Sequence, residues 1–211
     1  NLLGNYLHDA HGGDIRKRDL INLAEANSEE QGGHAFRVLD AYVHSIESGA
    51  QTDEENQKAR RALSLLQLLG LFDRPAIAAS LAALLSGEAI EGLTDILIGL
   101  NKAQRNVALQ RLEDAHLVSV IRAEPTGELI ALDAHPLIRE YFAKELKTQK
   151  PEAWQAAHQR LYKHLCDTTA EGDQPTLEDL QPLYQAVAHG CLAGLHKEVD
   201  EEVYYRRITQ G

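Results

Sequence analysis

The chain has 211 residues, 21 basic against 32 acidic side chains, and a formal net charge of −11. Apolar residues make up 44% and charged residues 25%, an ordinary globular balance that excludes disorder and fibrous repeats as descriptions of the whole. The acidity speaks against nucleic acid or an anionic membrane surface as a partner, because both are held by lysine and arginine neutralising phosphate.

The length gives room for one large domain or two small ones. Aromatic residues are only 5%, with alanine and leucine plentiful, so the composition leans toward helix. There is no methionine, which leads us to expect a piece of a longer protein. Cys166 and Cys191 form no CxxC pair and are too few for a disulfide scaffold; two reduced, buried thiols in a cytoplasmic protein are expected. No run of about 18 uncharged apolar residues occurs, so no membrane span is expected.

In chain order, Leu2, Leu3, Tyr6 and Leu7 recur at helical spacing, and Gly12-Gly13 ends that helix. A short helix is expected from Ile15 to Leu23, then a polar linker from Asn27 to Gly33. Ala35 to Glu47 is expected to be a helix with Phe36, Leu39, Val43 and Ile46 on one face, followed by a polar loop from Ser48 to Asn56. Gln57 to Leu71 is apolar almost all round after Ala62, the pattern of a central helix. Pro75 is suited to the first turn of another helix, running to Leu85.

Leu93 to Leu100 is ambiguous between packed loop and helical turn. Asn101 and Gln104 have capping-box spacing and open a helix buried through Ala108, Leu109, Leu112 and Ala115. Two β-rich runs, Leu117 to Arg122 and Glu128 to Leu132, flank a turn with Pro125 and Gly127 and predict a β-hairpin. Pro136 then starts an amphipathic helix marked by Leu137, Ile138, Tyr141, Phe142 and Leu146. Three helices followed by a hairpin is the order of a winged helix, with the hairpin as wing and Asn101 to His116 in the recognition-helix position.

Beyond Lys150 the chain is helical. Pro151 to Cys166 carries Trp154, Ala157, Leu161 and Leu165, and a break from Asp167 to Gln174 follows. Leu177 to Leu195 and Lys197 to Ile208 form a pair with Ala188, Gly190 and Ala193 expected at the contact, like one unit of a helical repeat. The predicted fold class is mainly α: a winged-helix domain with one β-hairpin, flanked by helical segments.

Little of the chain spells out chemistry. Neither G-x-x-x-x-G-K-S/T nor G-x-G-x-x-G occurs, and Gly12-Gly13 and Gly32-Gly33 follow helix or loop, so no phosphate-cradling loop lies within it. No H-E-x-x-H or Cys/His cluster supports His8 and His11 as metal ligands, and His158, His164, His189 and His196 are expected as surface or partly buried polar residues. The paired carboxylates Glu29-Glu30, Glu54-Glu55 and Glu201-Glu202 lie in polar stretches and are expected on solvated faces. No catalytic or metal-binding residue is assigned. The recognition-helix position offers Lys102, Arg105 and Arg111 against Glu113 and Asp114, a sparse basic face that favours packing over DNA reading.

His135 stands apart. It sits between the hairpin and a helix start, where unpaired N–H groups and the positive dipole end suit an anion, so its ring can donate to a phosphate. The plainer alternative is a junction histidine that ties the hairpin to the helix.

The run Leu132-Asp133-Ala134-His135-Pro136-Leu137-Ile138-Arg139-Glu140-Tyr141 resembles the "MHD" segment of STAND-class NTPases, the group that holds NB-ARC plant immune receptors, apoptotic protease-activating factors and bacterial relatives. Arg60 to Asp73 is similar to that family's central winged-helix segment, and Asn1 to Leu7 to the helix after its G-x-P motif. Pro182 to Ile208 is similar to the helical spacer before a tetratricopeptide-like sensor in bacterial members. The resemblance spans nearly the whole chain. It divides the chain into the tail of a preceding helical subdomain (1–30), a winged-helix domain (31–150) and a helical linker opening a tetratricopeptide-like array (151–211).

The resemblance implies a relay in a signalling ATPase switch, of the kind used in defence. ADP or ATP would bind only together with a nucleotide domain outside this chain, and the fragment alone would bind neither. In the family the MHD histidine contacts the β-phosphate of ADP and holds the resting state, a role that carries over to His135 alone. The family's methionine is Ala134 here and its aspartate is Pro136. The implied partners are the protein's own nucleotide domain and sensor repeats, with a homo-oligomer on activation and neither nucleic acid nor membrane. The alternative is a winged-helix transcriptional regulator with a helical effector domain; a helical hydrolase with an unrecognised site is third.

Overall fold

The structure is a computed structural model. It describes residue 13 and residues 33–48, 52–170 and 175–209. The helices expected over Asn1 to His11 and Ile15 to Leu23 lie outside the described residues, as do His8 and His11. In chain order the elements are α1 (Gly33–Ser48), α2 (Asp53–Leu69), β1 (Ala76–Ile77), α3 (Ala78–Leu84), α4 (Lys102–Asp114), β2 (Val118–Arg122), β3 (Leu129–Ala134), α5 (Pro136–Gln149), α6 (Pro151–Thr168), α7 (Leu177–Leu192), α8 (His196–Glu198) and a π-type helix, Val199–Thr209. The protein is mainly helical, with one small three-stranded antiparallel sheet.

The chain divides into two compact units, Asn1–Ala76 with Ile96–Glu145, and Ile77–Asp95 with Leu146–Gly211. The division does not follow chain order: Ile77–Asp95, expected inside a domain over 31–150, packs with the C-terminal helices.

In the first unit α1 buries Val38, Leu39, Tyr42 and Ile46, so its inner face is turned slightly from the expected one, and Phe36 and Val43 are only half-buried. Helix α2 begins at Asp53, four residues before the expected Gln57. Thr52 and Glu55 form a reciprocal cap, the Glu55 amide donating to Thr52 Oγ1 and the Thr52 amide to Glu55 Oε2, both at 3.2 Å. Asp53, Glu54 and Glu55 also place negative charge at the positive end of the helix dipole. From Ala62 to Leu69 every side chain but Gln67 is buried, as the apolar run predicts.

Gly70 follows, and a Cβ there would lie 2.6 Å from Ala143 N and 2.7 Å from Phe142 C. The α5 backbone passes directly over that glycine.

Residues 76–77, expected in the first turns of a helix opened by Pro75, instead form β1, and the sheet runs in the order β1-β3-β2. The hairpin forms where predicted, but its second strand runs two residues past the expected Leu132 to Ala134: Val118 faces Ala134 and Ile121 faces Ala131, with the register shifting at Arg122. Gly127 holds the turn at φ +67, and the Ala123 amide donates to the Glu128 carbonyl at 2.8 Å. The predicted Asn101–Gln104 capping box opens α4. In α5, Ile138 and Phe142 are buried, while the Tyr141 hydroxyl donates to Asp40 of α1 at 2.6 Å and its ring meets Phe36 edge-on at 5.7 Å.

The second unit is built on α6 and α7. Trp154, Ala157, Leu161 and Leu165 are buried as their spacing predicts. Arg160 fastens the short helix α3, donating to the carbonyls of Leu84 at 2.8 Å, Ser86 at 3.0 Å and Glu88 at 2.7 Å. Gly190 permits close approach: a Cβ there would overlap the Val199 side chain and lie 2.8 Å from Tyr162 Cδ2. Ala193 is buried beside it, but Ala188, expected at the same contact, is exposed because it lies on the opposite face of α7. The last expected helix is α8 followed by the wider π-type turns, with Val199 and Val203 inward. Among the described residues no helix is long and apolar enough to cross a membrane.

Candidate functional site

His135 lies between the end of β3 and the first residue of α5, and its side chain is exposed. Its Nδ1 accepts a long hydrogen bond from the Leu137 amide at 3.3 Å. Its carbonyl accepts from Ile138 N at 2.8 Å and from Arg139 N at 3.2 Å. Because Nδ1 is an acceptor here, the neutral ring carries its proton on Nε2. Asp133, two residues earlier, takes the Arg139 guanidinium at 2.7 Å through Oδ1, which also accepts from the Ala134 amide at 2.8 Å. Arg139 is largely covered, its side chain 12% exposed, so this ion pair ties the end of the strand to the first turns of the helix more firmly than a solvated pair would.

The free N–H groups foreseen at this helix start are not free. Pro136 has none, Leu137 donates to the imidazole, and Ile138 and Arg139 donate to the His135 carbonyl. What the junction offers an anion is therefore the His135 Nε2–H and the positive end of α5, not a ring of bare amides. Both roles weighed from the sequence meet in one ring, since Nδ1 ties the junction while Nε2 remains a donor. The Asp133–Arg139 clamp was not foreseen; a separation of six is too wide for a helical pair and needs the strand-to-helix bend to close.

On α4, Lys102, Arg105 and Arg111 are all exposed, and Glu113 pairs with Arg122 of β2 at 3.8 Å.

Two of the histidines expected as surface or partly buried residues lie in the interior. His158 and His189 are both buried, and their Nδ1 atoms are 2.8 Å apart between α6 and α7. The Trp154 ring meets His158 edge-on at 4.2 Å. Burial first, then the adjoining His189 and the Lys147 charge, push the His158 pKa down to about 3. The signal was present in the sequence: His158 lies one residue from Ala157 and four from Trp154, on the face that packs. His196 is exposed and His164 half-buried, as expected. Among the described residues no group of three or more His, Cys, Asp or Glu is placed to hold a metal ion.

The cysteines also depart from expectation. Cys191 is exposed and Cys166 half-buried, and both are free thiols. Burial raises the Cys166 pKa despite its hydrogen bond with Tyr162 and the nearby Arg207 charge.

Compared with family models, with curated proteins and with solved structures, the chain finds no match in any of the three.

Proposed function

We propose that this chain is the winged-helix and helical-linker relay of a STAND-class ATPase switch, in which His135 reports the nucleotide state of a P-loop domain to sensor repeats. The observation that carries the reading is the His135 junction: an exposed imidazole at the head of α5, fixed through Nδ1, with Nε2–H as an outward donor. The succession of α2, α4 and the β2–β3 hairpin in the first unit supports it; α3 follows the chain order of a winged helix but packs in the second unit. The packed α6–α7 pair, with Gly190 closing on Tyr162 and Val199, supports a helical linker of repeat type.

In this reading His135 Nε2–H donates to a β-phosphate oxygen of ADP, and the positive end of α5 favours the same charge. Asp133 and Arg139 keep the ring at the mouth of the strand-to-helix bend. Bound ADP supplies a diphosphate that draws the phosphate cradle of another domain and this junction together. His135 provides one contact. The chain therefore acts as a latch on nucleotide held elsewhere, and its helices transmit the latch's state as a shift between closed and open populations.

Nucleotide analysis of the parent protein purified without added nucleotide tests the reading. About one equivalent of ADP is expected per P-loop domain, and neither ADP nor ATP bound to the 211-residue chain alone. A parent protein without a P-loop, or one free of nucleotide, contradicts it.

A further inference from the structure

A cleft of about 400 Å³ lies between α2 and α4 in the first unit. Its apolar surface comes from Ala103, Val107 and Ala108, and Val107 is 51% exposed although it sits inside the cleft mouth. Three cations line it, Lys58, Arg61 and Arg111, against one carboxylate, Glu54, in a chain whose net charge is −11.

The cations are unequally committed. Lys58 pairs with Glu54 at 2.6 Å. Arg61 gives one nitrogen to the neutral Gln57 at 3.2 Å, while its buried Nε has no hydrogen-bond partner. Arg111 has no ion pair among the described residues. That Nε is closed off from the cleft, so an anion there would meet the terminal nitrogens of Arg61 and Arg111, neither of which has an ion pair among the described residues.

We propose that this cleft binds an amphiphilic monocarboxylate, its apolar body against Ala103, Val107 and Ala108 and its carboxylate between Arg61 and Arg111. The volume lies in the range of small-ligand pockets, roughly 300–1,000 Å³, and mostly apolar walls with a few convergent polar groups are their usual make-up. A planar guanidinium matches a carboxylate through two parallel N–H bonds, and a single negative charge suits a cleft with two arginines that have no ion pair among the described residues and an apolar floor. The site does not involve His135 and does not rest on the ATPase reading.

Decanoate, kept below its micelle-forming concentration, is the probe, titrated into the whole chain and followed by calorimetry and amide NMR. Saturable binding at one site is expected, with shifts centred on Ala103, Val107 and Ala108, and decanol at least tenfold weaker. Arg111→Gln, at an exposed position that tolerates change, lowers the affinity about tenfold, the loss of one charge-assisted hydrogen bond. Val107→Glu, also exposed, abolishes binding while leaving the circular dichroism unchanged. Equal binding of decanol, shifts centred elsewhere, or an unchanged affinity in Arg111→Gln would overturn the assignment.

Discussion

His158 Nδ1 and His189 Nδ1 share one hydrogen bond, at 2.8 Å, inside the packing of α6 against α7. Such a bond needs a proton on one ring and a lone pair on the other, so the pair cannot be doubly charged and remain paired. The buried His158 Nε2 has no partner, and an orphaned acceptor is more often tolerated than an orphaned N–H. His158 is therefore assigned as the Nδ1–H donor and His189 as the acceptor.

A pH dependence follows. The His158 pKa falls from 6.5 in the unfolded chain to about 3 when folded. Its contribution is complete above pH 6.5 and lost as pH falls toward 3, because only the unfolded chain takes up the proton in that window. Unfolding free energy at pH 5 is expected to be about 2 kcal/mol below that at pH 8. A double variant, His158→Leu with His189→Leu, loses most of that difference in urea titrations. A wild-type protein equally stable at both pH values would contradict the neutral pair.

Gly70 and Gly87 are glycine for different reasons, and their alanine variants separate them. At Gly70 an added Cβ meets the α5 backbone, which cannot move without shifting the helix, so Gly70→Ala is expected to cost about 2–3 kcal/mol. Gly87 has open space but φ +73, and Gly87→Ala is expected to cost only about 1 kcal/mol. Denaturant midpoints check the order; equal midpoints would mean that α5 does not press on Gly70.

The thiols are expected to differ in reactivity. Iodoacetamide at pH 8 should label exposed Cys191 several-fold faster than Cys166, whose thiolate is disfavoured by burial. Peptide mass spectrometry after timed quenching reads the ratio, and equal rates would contradict the packing around Cys166.

Much of the fold was legible because local rules and burial agreed. The Asn101–Gln104 cap, the hairpin turn at Pro125 and Gly127 and the Pro136 helix start all lie where spacing puts them. The failures lie where distant residues decide. Ala76–Ile77 became a strand because β3 offers a free edge, an outcome no local propensity carries. His158 and His189 read as polar until a second helix arrives to bury each against the other. At the candidate site the sequence located His135 but credited its helix start with amides that the His135 ring and carbonyl already hold. The bend that lets Asp133 reach Arg139 was equally out of view.

Arg139→Met tests whether the clamp serves the junction. Without its charge partner, the bend between β3 and α5 is expected to loosen, and the amides of Ala134 and Leu137 should exchange at least tenfold faster while the β2–β3 pairing is kept. Unchanged exchange at Leu137 would mean that Pro136 and the backbone bonds hold the bend by themselves.

His135 Nε2–H is proposed to hold a phosphate of ADP. Its most direct test is the dissociation rate of a fluorescent ADP analogue from the parent protein, wild type against His135→Ala. Release about tenfold faster is expected in the variant, the loss of one charge-assisted hydrogen bond, with partial recovery in His135→Gln, whose amide can donate from a similar position. Identical release from wild type and His135→Ala would contradict it.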